Sequence, residues 1–459
     1  MNKINHSLFH GVVASALMVG GAFAQSPLQE VELLHTLVEN VSAERLEQDI
    51  RTLVGFGTRH TASETESESH GIGAARRWIK AEFERISEAS GGTLEVMYVS
   101  EVISGERRLP DGVDVVSVIA IQRGSIDPDR YVLMSGDIDS RVSDGSDSES
   151  ESPGANDNAT GMAGVLEAAR VLSKHEFAGS IIYAGLAGEE QGLFGGRIVA
   201  DFALAEEWRI KAVLNNDMIG NIEGIDGVID NSTARVFSEG TRATETEREA
   251  RQRRFSGGEV DSASRNLARF IDRQADRYIP NLDVMMVYRL DRFGRGGHHT
   301  PFNNAGIPGV RIMETHEHYD RQHQDLRTEN GISYGDVIEG VNFDYVRKLT
   351  ALNIVSLAEM SLAPPFPAQV RLAGAVKPST TLSWAAAGAS ESSNLAGYRV
   401  HWRLTDAPQW THSRFVGKVN SFTLKNIVID NYYFGVSAVA QNGAETPVVF
   451  PGAAGSFGD

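Results

Sequence analysis

Between residues 113 and 313 the chain alternates short apolar runs with longer stretches of helical spacing. The runs at 113–122, 131–135, 181–188, 212–216 and 306–313 have strand length, and continuous hydrophobicity of that length predicts buried strands. Between them Met162, Val165, Leu166, Ala169 and Leu172 recur at helical spacing, predicting a helix over 158–172. Helices are also predicted over 27–54, with Leu33, Leu34, Leu37 and Val38 on one face, over 73–86, and over about 343–362. Strands and helices in alternation predict a three-layer α/β/α domain with a mixed, mostly parallel central sheet.

The pattern changes after Pro364-Pro-Phe-Pro367. Leu382-Ser-Trp384, Gly397-Tyr-Arg-Val-His-Trp402, Ser421-Phe-Thr-Leu424 and the run 432–439 are strand-like and separated by turn residues. They predict a small all-β sandwich over 367–455, following a catalytic domain over 25–363. The spacing of its Trp and Tyr residues resembles a fibronectin type III module. A module of this kind is expected to bind a surface, a polymer or a large substrate. Its removal is expected to leave turnover of small substrates intact.

The N-terminus adds a location. Lys3 precedes an apolar stretch at 12–23, and Ala22-Phe23-Ala24 places small residues where signal peptides are cleaved. Residues 1–24 are therefore expected to be a signal peptide cut before Gln25, and the mature protein to be exported, periplasmic or extracellular. No other stretch is long enough to span a bilayer. The formal charge of −18 argues against a nucleic-acid partner, because phosphate binding needs basic surface. The absence of cysteine excludes disulfides, Cys-ligated zinc and a thiol nucleophile.

Candidate chemistry sits at the ends of the apolar runs. One run ends in Asp137-Ile-Asp139, the next in Glu189-Glu190, and the third in Asp217. Asp157 stands just before the helical pattern at 158–172. Sites in open α/β sheets lie beyond the carboxyl ends of the strands, so these acids are expected to converge. Clustered carboxylates need a counter-charge, and the usual one is a metal. Of two adjacent glutamates, one can bind the metal while its neighbour acts as general base.

Asp137-Ile-Asp-Ser-Arg141, Gly154-Ala-Asn-Asp-Asn158, Gly188-Glu-Glu-Gln-Gly192 and Asn216-Asp-Met-Ile-Gly220 together resemble the M28 family of co-catalytic zinc peptidases. The resemblance covers about residues 40–360. It implies a secreted metallo-exopeptidase, an aminopeptidase above all, acting on peptides or proteins. It further implies two divalent ions, with Asp157 bridging them, Asp137 and Asp217 on the first, Glu190 on the second, and His323 as the final His ligand. Glu189 would be the general base, and Asp139 would orient the site. His316 and His318 are rivals of His323. Gly296-Gly-His-His-Thr-Pro-Phe302 resembles a segment near the site, so that His298 and His299 would line the pocket or contact substrate.

The chief departure is Asp137, where most of the family has His. Retained binding there would give four carboxylates and one imidazole. That harder set relaxes selectivity from zinc toward manganese or cobalt. The alternative is a first metal site that is weak or empty. Two rival functions remain: a single-zinc enzyme resembling glutaminyl cyclases, and a metal-depleted binding protein.

Overall fold

The computed structural model describes residues 31–386 and 394–458, so the expected signal peptide at 1–24 lies outside the described residues. The first helical stretch is two helices, α1 (Glu32–Glu39) and α2 (Ala43–Val54). The chain breaks between them because Ser42 is extended and its hydroxyl accepts the Arg45 amide at 3.1 Å, starting a new helix. α3 (Gly71–Ala89), α4 (Gly161–Leu172), α5 (Glu189–Gly192), α6 (Phe194–Ala205), α7 (Glu247–Ser256), α8 (Ala263–Tyr278), α9 (His299–Asn304) and α10 (Phe343–Leu362) follow.

Eight strands form one mixed sheet: β1 (Leu94–Ile103), β2 (Val113–Gln122), β3 (Asp127–Asp137), β4 (Gly179–Leu186), β5 (Arg209–Asn216), β6 (Thr233–Ser238), β7 (Asp283–Val287) and β8 (Gly309–Glu314). Their order is β1-β2-β4-β3-β5-β8-β6-β7. The central block β4-β3-β5-β8 is parallel, so β3, β4 and β5 release their carboxyl ends on the same side. Side chains alternate between the two helical layers. Val132, Met134, Ala212 and Leu214 pack with α3, α4, α8 and α10, while Leu133, Ile182 and Val213 pack with α6 and α9. The three-layer α/β/α expectation agrees with this architecture. Strand β1, where Glu95, Ser100 and Glu101 interrupt the apolar positions, is not among the strands expected from the sequence. It is an edge strand carrying Glu95, Ser100 and Glu101 outward, held by antiparallel pairing to β2.

A short hairpin, β9 (Arg327–Glu329) and β10 (Ile332–Tyr334), precedes α10. Beyond α10 lie β11 (Ala368–Ala373), β12 (Thr380–Ala385), β13 (Leu395–Leu404), β14 (His412–Gly417), β15 (Ser421–Leu424) and β16 (Tyr432–Ala440). They pair as two small antiparallel sheets, β11-β12-β15 and β14-β13-β16.

This β-unit packs closely on the catalytic domain, which argues against its being freely removable. Phe366, Val370, Trp384 and Phe434 belong to the same continuous apolar core as α4, α8 and α10. Asp261, 0% exposed, receives Arg269 at 3.0 Å from α8 and Arg403 at 2.9 Å from β13. Trp410 Nε1 donates to Asn266 at 3.0 Å, and the Glu445 amide donates to Glu359 of α10 at 3.2 Å. Buried ion pairs tolerate loss of one member poorly, so the two parts are energetically joined. None of the described helices is long and apolar enough to cross a membrane.

Candidate metal centre and active site

The site is assembled where the parallel strands end. After β4, Gly188 takes φ 75°, a left-handed turn that glycine adopts without steric cost, and α5 begins at once. This places Glu189 and Glu190 side by side at the mouth of the sheet. Asp139, just past β3, accepts the amide of Glu189 at 3.2 Å and of Glu190 at 3.0 Å. Asp157 lies in the turn before α4, and Asp336 accepts the amides of Asn156 at 2.8 Å and Asp157 at 2.7 Å. The Asp157–Asn158 peptide is cis.

His323 comes from the loop between β8 and β9. Its Nε2 is 2.9 Å from Asp157 Oδ2 and 3.0 Å from Glu190 Oε1. Asp157, Glu190 and His323 each bring a ligand atom within 4.8 Å of the others, the sole grouping of three His or carboxylate residues so placed among the described residues. One imidazole and two carboxylate oxygens are the donor types that bind zinc while leaving a coordination position open. These residues fit one divalent ion. His316 and His318 do not join the cluster.

Two arginines that sequence reasoning missed brace it. Arg141 places Nε 2.7 Å from Glu190 Oε2 and Nη2 2.7 Å from His323 Nδ1. Arg108 donates to the Glu190 backbone carbonyl. Arg141 stands in the Asp137-Ile-Asp-Ser-Arg141 motif itself, but nothing in the spacing tells which side chain it meets.

The other two expected ligands are engaged elsewhere. Asp137 accepts Asn158 Nδ2 at 2.7 Å on one oxygen and meets His298 Nδ1 at 2.5 Å on the other. Asp217 Oδ2 pairs with Arg311 Nη2 at 2.8 Å. Neither joins the three-ligand cluster. His298 and His299 are both 0% exposed, which corrects the expectation that they line the pocket. His299 Nε2 donates to the Leu290 carbonyl at 2.8 Å, and His298 supports Asp137. Both are held neutral, with pKa pushed down to about 4 by burial, which nearby carboxylates oppose.

The electrostatics call for a cation. Burial, then Asp217, Glu190 and Asp137, push Glu189 well above the usual carboxylate range. Burial and Asp137 raise Asp139 to about 7. Burial opposes charge on His323, yet Glu190 and Asp157 draw it up to about 9. A divalent ion would relieve this crowding of carboxylates. Replacing Asp139 by Asn puts an amide donor against two backbone N–H groups. Asp139→Asn is expected to weaken metal affinity about 10–100-fold, the usual effect of losing a group that orients a ligand. Titration with zinc checks this, and an unchanged affinity would remove Asp139 from that role.

Residues 117–339 match the family model described as Peptidase family M28. A protein of Leptosphaeria maculans named "Probable zinc metalloprotease" is 42% identical over 432 residues, covering 94% of this chain and 99% of the relative. The chain belongs to peptidase family M28. As an M28 member it is a zinc metallopeptidase, a hydrolase whose substrates are peptides or proteins. Two solved structures share the fold. The LapA aminopeptidase of Legionella pneumophila superposes with a TM-score of 0.54 at 18% identity, over 79% of this chain and 81% of that one. A Macrostomum lignano glutaminyl cyclase superposes with a TM-score of 0.50 at 16% identity, over 74% and 95% respectively.

Proposed function

We propose that this M28 peptidase is an exported aminopeptidase in which Asp157, Glu190 and His323 hold a catalytic zinc and Glu189 is the general base. The observation that carries the reading is the three-ligand cluster with a second glutamate beside it on the same short helix. Zinc bound there supplies Lewis acidity to the scissile carbonyl and to the attacking water. Glu189 takes the proton from that water and passes it to the leaving amine. The charge of the bound ion favours the ionised form of Glu189, against the burial that raises its pKa. Asp139 fixes the turn carrying Glu189 and Glu190, and Arg141 fixes the orientation of Glu190 and His323. The LapA likeness supports the choice of aminopeptidase. The pairing of the C-terminal strands into two antiparallel sheets supports reading that unit as fibronectin type III-like. Its exposed edge residues His412, Ser413 and Arg414 are available to a surface or polymer.

The test is a panel of aminoacyl anilides with free and acetylated amines, assayed with and without chelator. Hydrolysis of the free-amine substrates alone is expected, lost in chelator and restored by zinc. Cleavage of the acetylated series at equal rates would reject the aminopeptidase assignment. The second reading, a glutaminyl cyclase, draws on the single ligand cluster and the Macrostomum lignano fold. It requires ammonia release from a peptide with N-terminal Gln, without any new amino terminus.

A further inference from the structure

We propose that Arg311 takes the place of a second metal ion, so that the chain binds one divalent metal, at Asp157, Glu190 and His323, rather than two. The inference rests on the reading of those three residues as ligands. A second ion sharing Asp157 would need Asp217 and residue 137 as its other ligands, as the family resemblance implies. Here both of those carboxylates are already engaged by protein groups. Arg311 rises from β8, beside β5, and is 0% exposed. Its Nη2 meets Asp217 Oδ2 at 2.8 Å. Its Nη1 meets the two oxygens of Asp291 at 3.2 and 3.1 Å and the Gly296 carbonyl at 2.7 Å. The guanidinium is thus locked between two carboxylates and a carbonyl, in the fork geometry that suits arginine.

Asp137 is committed in the same manner. Asn158 occupies one of its oxygens and His298 the other, and both partners are 0% exposed. The residue exchange that puts Asp at 137 is matched by an imidazole at 298 facing it, so the acid–imidazole contact is made inside the protein. Asp217 Oδ1 and His298 Nε2 remain without partners. They do not form a three-ligand group with each other and Asp137 or Asp157 among the described residues. A dication placed against Asp217 would also sit beside the fixed positive charge of Arg311 and be repelled by it. Arg311 is therefore a positioning residue. It supplies the counter-charge for Asp217 and, through that carboxylate, shapes the field at Glu189.

Metal counting on the full chain tests this without reference to turnover. Protein stripped by chelator, saturated with zinc alone and desalted is expected to hold one zinc per chain. Asp217→Asn is expected to hold one as well, with zinc affinity changed less than threefold, and His323→Ala none. The double variant Arg311→Met/Asp291→Asn removes the internal cation together with its other partner. It is expected to take up a second, weaker zinc, provided its circular dichroism matches that of the parent. A parent count of two that falls to one in Asp217→Asn overturns the proposal, whatever the enzyme hydrolyses. A folded double variant that still binds one zinc overturns the role given to Arg311. One zinc without peptidase activity leaves this inference standing and rejects the function proposed above. A count of zero rejects both.

Discussion

Glu189→Gln is expected to lower kcat by about 10²–10⁴-fold, the usual worth of a positioned general base. Glutamine fills nearly the same volume, so the turn after β4 and the two amide contacts to Asp139 should persist. The amide cannot take a proton from the attacking water, and that step loses its acceptor. Glu189 is not one of the three clustered ligands, so zinc content should stay at the parent value. The combination is diagnostic: turnover falls while metal and thermal stability hold. Steady-state kinetics beside metal analysis makes the measurement. A variant with near-parental kcat would show that another group accepts the proton. One that loses its zinc would show that Glu189 is a ligand.

Deletion of residues 367–459 is expected to abolish folding rather than leave an active core. The cut exposes the apolar surface that Val370, Trp384 and Phe434 share with the catalytic domain, and it removes Arg403 from Asp261. A point variant isolates the ionic part. Asp261→Ala leaves Arg269 and Arg403, each no more than 2% exposed, facing each other without their shared carboxylate. Breaking a buried pair in this way costs about 3–5 kcal/mol. That is a large share of the roughly 5–15 kcal/mol by which proteins are stable. Denaturant melts of parent and variant read the loss directly. A truncated chain that is monomeric, cooperatively folded and fully active on an anilide substrate would restore the idea of an independent module.

Much of the architecture was legible in the residues. Continuous apolar runs marked β2 through β5 because strands buried on both faces carry no polar alternation. Helical spacing marked α4 and α10 because one or more of their faces meet the sheet. The convergence of Asp157, Glu190 and His323 followed from where strands end in an open sheet, together with the resemblance carried by the motifs. The edge strand β1 was not legible, since Glu95, Ser100 and Glu101 interrupt its apolar positions and its stability lies in pairing with β2 and in burying Leu94, Val99 and Ile103.

Sequence alone therefore determined the layered fold, the acids at the strand ends and the presence of a β-rich C-terminal unit. Those are properties of local pattern. Tertiary structure alone decided which acids face one another and which are already paired. Arg311 is 94 residues from Asp217, His298 is 161 from Asp137, and Arg403 is 142 from Asp261. No local spacing relates such positions. A charged group takes its role from the partner that desolvation forces it to find, and that partner is set only when the chain is packed.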